Sequence, residues 1–384
     1  MSASKNPLML LREMGQSPWC DQLSREQLES GRLARLVSEQ GITGLTSNPT
    51  SFHEALSSGH SYDDQIRHAT ARGLDVKAIY EELAVQDMQA VADLLRPVYD
   101  CSDRNDGYVS LEVSPDLAYD AEASVLEARR LWAAVDRPNL MIKIPGTSAG
   151  LPAVTRLLSM GINVNVTLIF GLRRHREVME AHAAGLSKAK ARGLDLHRIA
   201  SVASFFVSRV DTLVDRLLDL KATVALNPKD TERMQRLKGR AAIATAKAAR
   251  VKWEDYLGEE PMRSLLANGA QAQRLLWAST STKNPAYSDV LYVEELIGAG
   301  TVNSMPLETI AAFADHGSVR QATLTEGLGD ATEVLTALAA ARIKMETVAE
   351  ELESSGVRLF AQSFAQLLEW LRVKTGALRA GSPA

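Results

Sequence analysis

The sequence predicts an α/β fold, a (β/α)8 TIM barrel with additional helices, including helices at the carboxyl terminus. Three observations lead there. Eight short β-like runs alternate with helical stretches, the pattern of a parallel sheet, and eight is the number that closes into a barrel. Polar side chains recur late in these runs, on the face opposite the apolar one. The 384 residues exceed the roughly 250 of an ordinary barrel of this kind, and no long Pro, Ser or Gly-rich linker divides them. Residues 1–384 are therefore expected to form one elaborated domain, with 376–384 a polar, flexible tail.

In chain order, residues 2–14 and 24–40 read as helices, the second opening at Ser24 and closing at Gly41. The first strand, Pro18-Trp19-Cys20-Asp21, lies between them. Ile42 to Asn48 is the second, stopped by Pro49, with Thr46 and Asn48 on its polar face. Helical spacing over 60–98 and the turn Asn105-Asp106-Gly107 lead to the third, where Val109, Leu111 and Val113 alternate with Tyr108, Ser110 and Glu112. After a helix over 119–135 comes Leu140 to Thr147, with Leu140, Ile142 and Ile144 on one face and Met141, Lys143 and Pro145 on the other. A helix over 150–160 precedes Ile162 to Leu168, whose polar face is Asn163, Asn165 and Thr167. A helix over 174–192 leads to the sixth strand, Arg198 to Phe206, ending near Ser204, and Arg209 opens the next helix. Helices over 208–256, broken near Asn227-Pro228, and over 260–268 separate it from Leu275 to Ser279. Thr301 to Met305 is the eighth strand. Two amphipathic helices, 330–352 and 356–372, close the chain, the last carrying Phe360, Phe364 and Trp370. The inserts fall after strands two and six.

Composition narrows the function. Hydrophobic residues make up 46% and charged residues 23%, as in ordinary soluble proteins, and the net charge of −4 offers no footprint for nucleic acid or an anionic membrane. The basic stretch Lys238 to Lys252 reads as a solvated helix face. No apolar run reaches the length of a transmembrane helix, and the amino terminus lacks a signal-peptide pattern. Two cysteines, Cys20 and Cys101, are too few for a disulfide framework and suit a reducing cytosol, so a cytoplasmic location is expected. The seven histidines form no HExxH or His/Cys cluster, so neither a metal nor another cofactor is expected. Small metabolites are the expected partners, and the sequence does not distinguish a monomer from a homodimer.

Lys143 is the residue that needs explaining. A lysine on a strand end commonly snorkels to water or pairs with an acid. Desolvated or crowded by charge, a lysine becomes a neutral amine that attacks carbonyls to form a Schiff base. In a barrel, the inward face at the carboxyl ends of the strands gathers Asp21, Asn48, Glu112, Lys143, Asn165, Thr167 and Ser204 into one site. Losing water from a carbinolamine needs proton transfer, for which Glu112 and Thr167 on the flanking strands are placed. Cleaving the bond beyond the imine needs a second carboxylate, and Asp21 is the candidate. Asn48 and Asn165 are placed to hold substrate hydroxyls. Arg209 and Lys283 are cations at the mouth, where anionic groups bind, the alternative being solvated surface charge. The loop 146–150 lacks a P-loop's Gly-Lys-Ser/Thr and reads as a turn.

At these residues the chain resembles the transaldolase family, over nearly its whole length and closest to the long bacterial form. The matching segments are Trp19-Cys20-Asp21-Gln22-Leu23-Ser24-Arg25, Thr46-Ser47-Asn48-Pro49, Ser110-Leu111-Glu112-Val113, Ile142-Lys143-Ile144-Pro145, Asn163 to Phe170 and Ser204-Phe205-Phe206-Val207-Ser208-Arg209. Each alone is weak, and six in order are highly specific. The resemblance implies a class I aldolase-type barrel with Lys143 as Schiff-base lysine, Asp21 as acid/base for carbon–carbon cleavage, and Glu112 with Thr167 handling the catalytic water. It implies sugar contacts from Asn48, Asn165 and Ser204, and phosphate contact from Arg209. The implied reaction is reversible transfer of dihydroxyacetone from sedoheptulose 7-phosphate to glyceraldehyde 3-phosphate, in the non-oxidative pentose phosphate pathway. The rivals are a fructose 6-phosphate aldolase-like enzyme and a non-catalytic sugar-phosphate-binding barrel. Two departures from the family pattern stand out. Cys20 replaces a usually apolar residue, and Lys283 stands where shorter members have a phosphate-binding arginine.

Overall fold

At the centre of the computed structural model, which describes residues 6–379, eight parallel strands close into a barrel in sequence order. They are β1 (Ser17–Cys20), β2 (Gly44–Thr46), β3 (Val109–Glu112), β4 (Leu140–Pro145), β5 (Val164–Ile169), β6 (Ser201–Phe206), β7 (Arg274–Ala278) and β8 (Val302–Met305), with β8 pairing back to β1. The chain is a (β/α)8 TIM barrel with extra helices. All eight expected strands are present. Parallel neighbours need crossovers, and helices supply each one, covering the outward residues Leu140, Ile142, Ile144, Val164 and Val166, all fully buried.

Register decides which side chains share a level. Glu112 is aligned with Lys143, Lys143 with Asn165, and Pro145 with Thr167. The pleat turns Glu112, Lys143 and Asn165 to the barrel axis in one layer. A register shift between β5 and β6 follows at Val166 to Ile169, with Leu168 at φ 61°, a conformation non-glycine residues rarely adopt.

The amino-terminal end of the barrel is plugged by polar contacts. Asp106 accepts from the Trp19 indole at 2.7 Å and from the Ser17 hydroxyl, and Arg274 donates to Ser17 Oγ at 2.6 Å and the Thr301 carbonyl at 2.9 Å. Gly44 is required beside this plug, because a Cβ there would stand 2.3 Å from the Trp19 ring.

Several helices depart from the expected boundaries. The stretch 24–40 breaks at Gly31 (φ 69°) into Arg25–Glu29 and Arg32–Ser38, and 60–98 breaks near Gly73 (φ 77°) into Asp63–Ala71 and Val76–Cys101. The stretch 208–256 breaks twice, giving Ser208–Thr223, Pro228–Leu237 and Ala241–Leu257, the second break at Gly239 (φ 72°). On the last of these, Lys247 is not solvated as expected, being 7% exposed and donating to the Glu326 carbonyl at 2.8 Å. The carboxyl-terminal pair is Leu328–Ala340 and Met345–Arg379, divided at Arg342 (φ 58°) and continuous through Gly356. The polar stretch 376–379 is thus helical, while 380–384 and residues 2–5 of the expected first helix lie outside the described residues. Three helices were not expected, Pro49–Ser57, Leu291–Glu295 and Leu307–His316. The first has a clear local cause. Asn48 caps it by accepting from Ser51 N at 3.0 Å, the Ser51 hydroxyl completes a capping box, and Pro49 stands in the first turn. Among the described residues, no helix is long and apolar enough to cross a membrane.

Candidate active site

Lys143 projects from β4 into the axis and is 5% exposed, so its amine is reached only through the mouth of the barrel. Nζ donates to the Ser47 carbonyl at 3.1 Å and stands 3.1 Å from Glu112 Oε2. The second contact has the distance of an ion pair without the alignment of a hydrogen bond, and among the described residues neither Glu112 oxygen has a hydrogen-bond partner. Burial pushes the Glu112 carboxyl above the usual range, and the Lys143 charge partly restrains it. The hydroxyl of Thr167, fully buried beside the register shift of β5, also lacks a partner. Buried polar oxygens left unpaired are costly and uncommon. Two such groups beside one amine are suited to exchanging protons with a reacting molecule.

Asp21 follows β1 and is anchored by its own N–H donating to the Met305 carbonyl at 3.0 Å. Its carboxyl is pushed up to about 6, first by burial and also by Glu308, while Lys143 and Lys283 pull it down. The surrounding motif is mostly scaffolding for this residue. Gln22 Oε1 accepts from Leu307 N at 3.0 Å, Ser24 caps Arg25–Glu29, and Arg25 donates to Asp87 at 2.7 and 2.9 Å beneath the Tyr62 ring. Cys20, next to Asp21, is fully buried, its thiol donates to the Gln22 carbonyl, and its pKa is pushed up to about 12. Cys20 is thus a packing residue with little thiolate character.

A cavity of about 250 Å³ opens over the amine. Asp21, Asn48, Lys143, Thr167, Ser204, Arg209 and Lys283 line it. Glu112 and Asn165 stand behind its wall, Glu112 through its contact with Lys143. Asn165 Nδ2 donates to Ser110 Oγ at 3.1 Å and its Oδ1 accepts from Ser204 Oγ at 2.7 Å, so Asn165 orients Ser204. Since capping occupies Asn48 Oδ1, its amide N–H groups are what it offers to the cavity. The Arg209 guanidinium lies 5.5 Å from the Phe206 ring and 5.9 Å from the Phe360 ring, and among the described residues it has no carboxylate partner. Burial lowers its pKa from the ordinary value, the mark of a cation poor in compensating charge. Lys283 donates to Ser281 Oγ at 2.6 Å.

Residues beyond the expected site set also line the cavity. Thr46 and Ser304, on the two strands flanking β1, share a 3.0 Å hydrogen bond, and Gln22, Ser281 and Glu308 add polar rim. Phe360, from the helix Met345–Arg379, roofs the site with its ring 5.6 Å from Lys143 Nζ. Thr46 shares the strand face of Asn48 and was legible as inward, whereas Phe360 carried no local signal beyond an amphipathic spacing. Among the described residues, no three His, Cys, Asp or Glu side chains gather so as to hold a metal ion.

The family model described as transaldolase/fructose-6-phosphate aldolase matches residues 18–371. A transaldolase of Saccharopolyspora erythraea is similar at 47% identity over 97% of this chain and 98% of its own length. Transaldolase 1 of Streptomyces coelicolor is 47% identical over 96% of this chain and 94% of its own. A transaldolase of Mycolicibacterium smegmatis is 45% identical over 95% and 97%.

Proposed function

The chain belongs to the transaldolase/fructose-6-phosphate aldolase family, and from that premise we propose that it transfers a dihydroxyacetone unit between sugar phosphates. It acts as a transaldolase, taking the unit reversibly from sedoheptulose 7-phosphate to glyceraldehyde 3-phosphate and giving erythrose 4-phosphate and fructose 6-phosphate. The observation that carries the reading is a buried lysine amine 3.1 Å from a carboxyl oxygen, at a cavity that Asp21 also lines.

The steps follow from the proposed roles. Lys143 passes a proton to Glu112, 3.1 Å away, and its amine attacks the donor ketone. The carbinolamine hydroxyl leaves as water on receiving that proton, with Thr167 orienting the water, and the iminium forms on Lys143. Asp21 accepts the proton of the hydroxyl on the far carbon of the bond to be broken, which becomes the carbonyl carbon of the released aldehyde. That bond's electron pair passes into the iminium, giving an enamine and releasing the aldehyde product. The enamine carbon then attacks the acceptor aldehyde, and Asp21 returns the proton to the new hydroxyl. Asn48 and Ser204 hold sugar hydroxyls, with Asn165 orienting Ser204, and Arg209 and Lys283 take the phosphate. The aromatic roof of Phe206 and Phe360 keeps water from protonating the enamine before the acceptor arrives.

The reading includes the whole chain as one domain, because the last helix supplies Phe360 to the cavity. Sugar-phosphate substrates and two free cysteines support a cytoplasmic place in the non-oxidative pentose phosphate pathway. Borohydride reduction in the presence of fructose 6-phosphate, followed by peptide mapping, is expected to place a three-carbon adduct on Lys143. An assay with and without acceptor distinguishes transfer from simple cleavage. Release of free dihydroxyacetone at a comparable rate without acceptor makes the enzyme an aldolase, and bound sugar phosphate without an adduct makes it a binding protein.

A further inference from the structure

We propose that Tyr287 and Asp215 are positioning residues for the phosphate end of the substrate, their hydrogen bond deciding which of two neighbouring cavities Lys283 serves. The inference rests on the reading of Arg209 and Lys283 as phosphate contacts.

The helix Ser208–Thr223 carries Arg209 in its first turn and two buried carboxylates beyond it. Asp211 accepts from Ala242 N and from the Tyr292 hydroxyl, both at 2.9 Å. Asp215 accepts from Gly239 N at 2.9 Å and from the Tyr287 hydroxyl at 2.7 Å. The helix that aims Arg209 therefore also holds the segment after β7 at two tyrosines. A third tie is Ser208, whose N–H donates to the Ser279 carbonyl at 3.1 Å and whose hydroxyl lies 2.9 Å from Ser279 Oγ. Lys283 lies between these fixed points. The Tyr287 ring is seated closely, since a Cβ on Gly239 (φ 72°) would stand 2.7 Å from its Cζ.

Lys283 also stands on a boundary. It lines the cavity over Lys143 and a second, outer one bordered by Asp215, Arg216, Asp219, Lys238 and Asn284. Both carboxylates of the outer cavity are engaged, Asp215 by Tyr287 and Gly239, and Asp219 by Lys238 at 2.9 Å. Removing the Tyr287 hydroxyl leaves one Asp215 oxygen unpaired in the outer cavity, where it attracts the Lys283 ammonium away from the mouth. The tyrosine thus keeps Lys283 facing the substrate by occupying the carboxylate that would compete for it.

The test uses saturating fructose 6-phosphate as donor and compares glyceraldehyde 3-phosphate with unphosphorylated D-glyceraldehyde as acceptor. Tyr287→Phe retains the ring and is expected to raise KM for glyceraldehyde 3-phosphate about tenfold, with kcat and the KM for D-glyceraldehyde within about twofold. Adding Asp215→Asn removes the competing charge, and the double variant is expected to return toward the wild-type KM. A purely structural role gives the opposite result, because the second substitution removes another anchor and makes matters worse. Equal shifts for both acceptors, or no rescue in the double variant, overturn the proposal. Lys283→Met separates this from the underlying reading. If it leaves the preference for the phosphorylated acceptor intact, the phosphate role of Lys283 falls. If it abolishes that preference while Tyr287→Phe does not change it, only the role of Tyr287 falls. Thermal unfolding of each variant reports folding, and Asp215→Glu, which displaces the tyrosine, replaces Tyr287→Phe if the latter does not fold.

Discussion

Asp21 is raised to about 6 by burial although two lysines pull the other way, so near neutral pH it is mostly ionised and able to take a hydroxyl proton. Transfer is expected to rise with pH through about 6 and then level off, because only the carboxylate accepts the proton. Asp21→Asn is expected to keep the borohydride-trapped imine while turnover falls by about 10²- to 10⁴-fold. The sign for stability follows from linkage. Asp21 holds its proton to a higher pH when folded than when unfolded, where its value is 3.8. Between about 4 and 6 the native state binds more protons, so the contribution of Asp21 to stability declines as pH rises across that window. Asp21→Asn should therefore raise the unfolding temperature at pH 7, with the gain shrinking as pH falls toward 4. A flat pH–rate profile between 5 and 7, or full turnover in the variant, counts against the assignment. The place of Asp21 at the cavity was legible because a carboxylate late in a strand is local information. The pull of Lys283 on it was not, since the two residues meet only when the barrel closes.

At the scale of elements, the amphipathic pattern of the last helix favoured core packing for its aromatics and left open closure over the barrel mouth, and Met345–Arg379 does bring Phe360 to the cavity. Gly356 opens the expected helix 356–372, yet it lies inside Met345–Arg379, where glycine costs roughly 1 kcal/mol. Here it permits close approach instead, since a Cβ would come within 3.0 Å of Leu168 Cδ2 and 3.7 Å of the Phe170 ring. Leu168 is the residue at φ 61° beside Thr167, so the helix rests on the distorted end of β5 and carries Phe360 across the mouth one turn later. The ring lies 5.6 Å from the amine and 5.9 Å from the Arg209 guanidinium, so one aromatic covers both cations. Phe360→Ala is expected to keep the Lys143 adduct while the release of free dihydroxyacetone relative to transfer rises about tenfold, as water reaches the enamine. Product analysis with limiting acceptor measures that ratio. An unchanged ratio with normal transfer would mean the ring packs the helix without shielding the chemistry.

The whole molecule divides its labour between the two ends of one barrel, with chemistry at the carboxyl ends of the strands and closure at the other. The strands and the inward acids and amine were legible because period-two alternation is local and one barrel face collects them. The plug was not. Asn105-Asp106-Gly107 reads as a turn, yet Asp106 binds Ser17 and Trp19, 89 and 87 residues earlier, and nothing local reports contacts at that separation. Asp106 joins β1 to the approach of β3 at the closed end, while Lys143 and the cavity lie at the other. Asp106→Ala leaves the buried indole N–H and the Ser17 hydroxyl without their acceptor, a loss of about 3 kcal/mol in unfolding free energy. Since no group of the plug lines the substrate cavity, KM and kcat at 25 °C should remain within about twofold of wild type. Urea unfolding and steady-state kinetics on the same preparation measure both quantities. A raised KM with an unchanged unfolding midpoint would show that the closed end also shapes the site, and the division between the two faces would have to be abandoned.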